Sequence, residues 1–160
     1  MRCEASSLGA SRAATPRPCP AEPGRVVETA AVIDTAPLIA YLGGVRQALG
    51  RAARRVVRDA EGGRVRLAVP TLCLFEVGQL EERGRVSLGL PFERWCDLVE
   101  EVAALLLLPL ERAHVSEARS LPTLRDPFDR LIAGTAVALG LPLITADSRI
   151  AAARRVQVIW

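Results

Sequence analysis

The chain contains no lysine and no asparagine, and all 21 of its basic residues are arginine. That bias points to a GC-rich coding sequence more than to a function, but it removes whole chemistries. A P-loop lysine, a Schiff-base lysine and a lysine general base are all excluded. There is one histidine, His114, and none of the four cysteines, Cys3, Cys19, Cys73 and Cys96, forms a C-x-x-C pair, so a zinc site of the usual kind cannot be assembled. Aromatics make up 4% of the 160 residues while half the chain is hydrophobic. The core must therefore be built from Leu, Val, Ile and Ala. No apolar run reaches the roughly 18 residues that a membrane-spanning helix needs, and the N-terminus lacks the apolar stretch of a signal peptide. Cys73 and Cys96 fall in apolar helical patterns and are expected as buried thiols, which suits a reducing cytoplasm. His114 sits in a stretch of mixed polarity and is expected at the surface.

The length fits one domain, and a domain of this size buries about two thirds of the surface of its unfolded chain. Net charge is +3, of which residues 1–25 hold +2 through Arg2, Arg12, Arg17 and Arg25 against Glu4 and Glu22. Attraction to a polyanion must then come from local patches. Residues 1–25 are rich in Pro, Ala, Ser and Arg without periodicity. We expect a flexible extension over 1–28 and a single domain over 29–160. Met1 is the only methionine, and Val26 or Val27 is a candidate alternative start.

Beyond the extension the pattern alternates. "AAVID" at 30–34 reads as a buried strand, 35–42 as a helix stopped by Gly43 and Gly44, and 45–60 as a helix with Arg51, Arg54, Arg55 and Arg58 on one face. "RVRLAV" at 64–69 is strand-like, and Pro70 opens a helix to about Arg83 as its first residue. A helix is expected from about 91, a buried strand over 105–110, helices over 111–120 and 127–139, a strand over 141–145, a short helix, and a closing strand over 156–160. Strands alternating with helices argue for an α/β layer fold with a mainly parallel sheet.

In such a sheet function gathers beyond the carboxyl ends of the strands. Asp34 ends the first strand run and Asp147 follows the 141–145 strand by two residues. Each equally suits the N-cap of the helix after it. Glu76 lies among Leu72, Leu74, Phe75 and Val77, where a half-buried acid without a partner is costly unless it faces outward. Asp129 heads the apolar stripe Ile132, Ala133, Ala136, Val137, Gly140. Asp126 precedes Pro127, the pattern of an N-cap with proline at N1, and stands four residues before Arg130, a pairing distance on a helix. Four acids from four segments repel if they converge. A hard divalent cation resolves that repulsion and leaves room for a phosphate substrate.

At these residues the sequence resembles the PIN-domain family, and within it the VapC-type toxins of bacterial toxin–antitoxin pairs. The resemblance spans about 30–160 and rests on "VIDTAPLIAYL", "VPTLCLFEVGQLEERGRVSL", "LRDPFDRLIAGTAVALGLPLITADSRI" and the closing "VQVIW". It implies a three-layer α/β/α fold with a mainly parallel central sheet, and a Mg²⁺- or Mn²⁺-dependent ribonuclease. The family's acidic quartet would fall on Asp34, Glu76, Asp129 and Asp147 as catalytic and metal-holding residues. Arg125 and Asp126 match a subgroup signature beside the site. Thr145 and Ser148 match polar residues flanking the last acid, where they either orient a carboxylate or water or cap a helix. The implied reaction is in-line attack of water on an RNA phosphodiester, leaving a 3′-hydroxyl and a 5′-phosphate with no side-chain nucleophile. A VapB-like antitoxin and a homodimer are the implied partners, using apolar surface near 37–42 and 72–80. The arginine face of 51–58 either holds phosphates or is a solvated helix face.

Other readings fit less well. A haloacid-dehalogenase-type phosphatase needs a second Asp where Ala36 stands and a later lysine; a receiver domain needs the lysine too. A nicotinamide-binding domain needs a glycine fingerprint that "VIDTAPLIA" lacks. The alternative that remains is a PIN-like scaffold that binds RNA or protein without cutting.

Overall fold

The computed structural model describes residues 27–160. The expected N-terminal extension lies outside these residues except for Val27 and Glu28. The Glu28 carbonyl already accepts from the Arg66 amide at 2.8 Å, so sheet hydrogen bonding starts one residue ahead of the expected domain edge.

Five strands, β1 (Thr29–Ile33), β2 (Arg66–Pro70), β3 (Leu105–Leu108), β4 (Leu143–Ile144) and β5 (Val158–Ile159), form one sheet in the order β3-β2-β1-β4-β5. Every neighbouring pair is parallel. Seven helices accompany them among the described residues: α1 (Thr35–Leu42), α2 (Arg51–Glu61), α3 (Thr71–Glu82), α4 (Phe92–Glu101), α5 (Arg112–Arg119), α6 (Pro127–Leu139) and α7 (Ser148–Ala152). The expected α/β fold with a parallel sheet is the one observed. Parallel sheets covered on both faces read as unbroken apolar runs, and Ala31, Val32, Ile33, Leu67, Ala68 and Val69 are accordingly all sealed from solvent. Each fully buried Val, Leu or Ile contributes roughly 1.5–3 kcal/mol.

The chain leaves β1 for β2 on one side, while β4 pairs with its other side. The strand order thus reverses between β1 and β4, where the crevice of an open α/β sheet forms. Asp34 leads out of β1 and Thr145 out of β4 at this point, and the Asp34 amide donates to the Ile144 carbonyl at 3.1 Å.

Several expectations need correction. The helix read over 45–60 is broken. A 3-10 turn covers Arg46–Ala48, and α2 starts only at Arg51. Gly50 packs against the closing strand so tightly that a Cβ there would lie 2.1 Å from the Trp160 carbonyl carbon, and the Ala52 amide donates to the Trp160 carbonyl. Pro70 is not the first helical residue but the last residue of β2, opposite Leu108, and α3 begins at Thr71. The 105–110 run is an edge strand, with Leu105 buried and Leu106, Leu107 and Leu108 only partly so. Cys73 is buried as expected, but Cys96 is only half-buried.

His114 is the clearest miss, being 5% exposed rather than on the surface. Its Nδ1 accepts from the Glu111 backbone N–H at 3.1 Å, which satisfies an otherwise orphaned donor at the start of α5. The i, i+3 spacing of Glu111 and His114 was the available signal. Arg130 does not pair with Asp126 either. It donates from Nε to the Ala118 carbonyl at 2.7 Å and from Nη2 to the Arg119 carbonyl at 3.3 Å. These carbonyls close α5, where the helix dipole favours a cation. α5 and α6 make the most extensive helix–helix contact in the fold, and Gly134 permits it. A Cβ at that position would meet the Ala118 amide at 2.6 Å and the His114 carbonyl oxygen at 2.8 Å.

Candidate active site

A cleft of about 500 Å³ opens at the β1/β4 reversal. Asp34, Glu76, Asp129 and Asp147 all line it, with Thr35 and Thr145 between them and Ile39, Leu80 and Val86 as an apolar wall. The four expected acids therefore share one cavity, carried there by β1, α3, α6 and the turn after β4.

Asp34 is the most enclosed of the four, at 8% exposure. Its Oδ1 accepts from the Thr35 backbone N–H at 2.8 Å, and its Oδ2 accepts from the Thr145 hydroxyl at 2.6 Å. Thr145 in turn accepts from the Asp147 amide at 3.1 Å. One buried hydroxyl thus ties the ends of β1 and β4 together. Of its two expected roles, the geometry is that of a residue orienting a carboxylate. Burial pushes the Asp34 carboxyl above its ordinary range against these two hydrogen bonds. Glu76 is shifted the same way, again mainly by burial, while its Oε2 accepts from the Thr35 hydroxyl at 2.5 Å. Thr35 was not singled out from sequence. Its signal was its place directly after Asp34, where its amide and its hydroxyl serve two different acids.

Asp129 is pushed up to about 6, first by burial and then by the nearby charge of Asp126, with Arg149 opposing. Asp147 is held below the usual carboxylate range by its hydrogen bonds to Arg149. The capping and site readings are not exclusive. Asp34 caps α1, and Asp147 caps α7 by accepting from the Arg149 amide at 2.7 Å, while both line the cleft. Asp126 caps α6 as expected. Its Oδ1 accepts from the amides of Phe128 at 2.9 Å and Asp129 at 3.3 Å, with Pro127 in the first turn. It stands outside the cleft wall, but its charge raises Asp34, Glu76 and Asp129.

Arg125 and Ser148 are exposed beside the site, and among the described residues no side-chain hydrogen bond joins either to the acids. Arg51, Arg54 and Arg58, with Arg46, Leu49 and Val57, line a separate basic depression of about 340 Å³, and Arg55 is exposed on the same helix. Phe75 and Phe128, each adjacent in sequence to a site acid, stack with centroids 6.0 Å apart, and Phe75 is 59% exposed.

Among the described residues, no three acids stand close enough to form a ready cation cage. The donor set nevertheless fits a hard divalent ion. The side chains are carboxylates and hydroxyls, and three of the four acids are shifted upward, first by burial and further by neighbouring carboxylates. An ion that keeps several of its waters, as Mg²⁺ does, can use carboxylates spaced more widely than direct ligands.

The chain is similar to known proteins. The family model for the PIN domain matches residues 31–156. Ribonuclease VapC22 of Mycobacterium tuberculosis (strain ATCC 25618 / H37Rv) is 34% identical over 118 residues, covering 71% of this chain and 86% of the relative. Among solved structures, VapBC2 from Rickettsia felis bound to a promoter DNA fragment superposes with a TM-score of 0.60 at 12% identity, over 81% of this chain and 97% of the other. DNA-bound VapBC from Salmonella typhimurium gives 0.57 at 19% identity, over 81% and 96%. These structures share the fold, and the family match with the curated relative settles kinship: the chain belongs to the PIN-domain family.

Proposed function

We propose that this protein is a divalent-metal-dependent endoribonuclease acting as the toxin of a toxin–antitoxin pair. The observation that carries the reading is the shared cleft of Asp34, Glu76, Asp129 and Asp147 at the strand-order reversal, in a chain 34% identical to a ribonuclease. Asp34, Glu76, Asp129 and Asp147 would hold Mg²⁺ or Mn²⁺, which when bound would supply activation of water and neutralisation of a phosphodiester. The protein's own part is positional and electrostatic. Thr145 and Thr35 fix the Asp34 carboxylate through both oxygens, and Thr35 also turns Glu76 toward the cleft. The wall of Ile39, Leu80 and Val86 lowers the local dielectric, so charges there act more strongly than in water. The arginines of α2 are suited to holding flanking RNA phosphates, with the strong salt dependence of such contacts.

The partners follow from the same reading: an RNA substrate, a VapB-like antitoxin, and a second copy of the chain in a homodimer, all in the cytoplasm. No helix among the described residues is long and apolar enough to cross a membrane. Exposed Phe75 gives α3 an apolar surface for one of the protein contacts.

The test is cleavage of RNA by antitoxin-free protein with Mg²⁺, with Mn²⁺ and with EDTA. Cleavage should require the metal, and Asp34→Asn should lose it while keeping a native circular dichroism spectrum. Equal cutting by parent and variant, or full activity in EDTA, sinks the assignment.

A further inference from the structure

Two of the site acids, Asp129 and Asp147, share a single protein cation. The Arg149 Nη2 donates to Asp129 Oδ2 at 2.9 Å and also to Asp147 Oδ2, and its Nε contacts both Asp147 oxygens at 3.1 Å. The burial is asymmetric. The side chains of Asp129 and Asp147 are 16% and 19% exposed, whereas that of Arg149 is 68% exposed. The acids are thus set in the cleft wall, and the guanidinium reaches them from solvent on a long, flexible stem.

A guanidinium bridging two carboxylates provides the same charge compensation there as a divalent ion between them. The two compete, because a cation beside these acids would meet the positive charge of Arg149, whose Nη2 already engages Asp129 Oδ2 and Asp147 Oδ2. We propose that Arg149 is a built-in competitor of the catalytic cation, so that loading the metal requires Arg149 to swing out into solvent. The proposal rests on the metal-site reading above. Its exposure makes the guanidinium displaceable, since an ion pair open to water and salt is weak. The residue therefore sets the metal concentration at which the site loads instead of blocking the site. A merely structural tie between α6 and the start of α7 would affect stability and leave metal affinity alone.

The experiment is a calorimetric titration of the full chain with Mn²⁺, without RNA, for the parent, Arg149→Gln and Arg149→Lys. Arg149→Gln should bind Mn²⁺ roughly fivefold tighter or more, because the variant has no guanidinium to displace. Arg149→Lys should fall between, because an ammonium is a point charge that cannot bridge both carboxylates as the guanidinium fork does. Added salt should narrow the gap between parent and variants. If Arg149→Gln does not fold, the parent-to-Arg149→Lys comparison still decides. Equal or weaker Mn²⁺ binding by natively folded variants overturns the competitor role while leaving the metal site standing. Absence of Mn²⁺ binding in every variant overturns the metal-site reading itself, and this inference with it.

Discussion

Asp129→Asn is expected to reduce RNA cleavage by at least about a hundredfold without weakening the fold of the metal-free protein. The carboxyl of Asp129 is pushed up to about 6 in the folded chain, from an ordinary value of 3.8, by burial and by the charge of Asp126. Between those values the folded state holds more protons than the unfolded state. Asp129's contribution to stability is therefore greatest below the unfolded value and is lost as pH rises through about 6. At neutral pH the ionised carboxylate strains its surroundings, and the isosteric amide removes that strain. Melts in EDTA from pH 5 to pH 8 should show the parent losing stability as pH rises. Asp129→Asn should flatten the slope in part, since Asp34 and Glu76 are shifted in the same direction and keep their share. A variant that unfolds more easily than the parent at neutral pH would mean that Asp129 is a structural acid. Asp126→Asn makes the contrast. It keeps a side-chain oxygen for the cap and should cost about 1 kcal/mol or less, with cleavage only partly reduced.

Gly134→Val should produce the largest loss of stability, about 3 kcal/mol and roughly 10 °C in Tm. A mid-helix glycine is about 1 kcal/mol worse than alanine, so this one is kept for another reason. The atoms a side chain would meet belong to backbone, the Ala118 amide at 2.6 Å, its Cα at 2.8 Å and the His114 carbonyl oxygen at 2.8 Å. Backbone in a helix cannot turn aside as a flexible side chain can. Relief requires α5 and α6 to separate, which would also break the Arg130 hydrogen bonds to the Ala118 and Arg119 carbonyls. Cleavage should fall as well, because α6 carries Asp129. An unchanged melting curve would show that the two helices do not depend on this close approach.

The sheet and the acids were legible in the sequence because each leaves a local trace. The buried strands are unbroken apolar runs, and Asp129 heads a helical stripe of packing residues. What escaped depended on contacts between distant segments. The break before α2 comes from Trp160 packed on Gly50, more than a hundred positions away in the chain. Arg130 reaches the carbonyls of α5 instead of its neighbour Asp126, because tertiary packing offered a better acceptor than helical spacing did. Arg149 escaped for a different reason: an arginine two residues after an acid is unremarkable until a third segment brings Asp129 within its reach. His114 was misread because the hydrogen bond that permits its burial is made to backbone, which the surrounding polarity does not reveal.

The pairing of β1 with β4 joins parts of the chain made at very different times. Thr145 and the Asp34 it holds are separated by 111 positions, and synthesis proceeds from the N-terminus. Synthesis reaches Asp34 and Glu76 long before the segment that carries Thr145 and Asp147. The cleft shared by the four acids is therefore complete only when nearly all of the chain has been made. The strand order that creates the crevice thus also makes the site one of the last features of the fold to form.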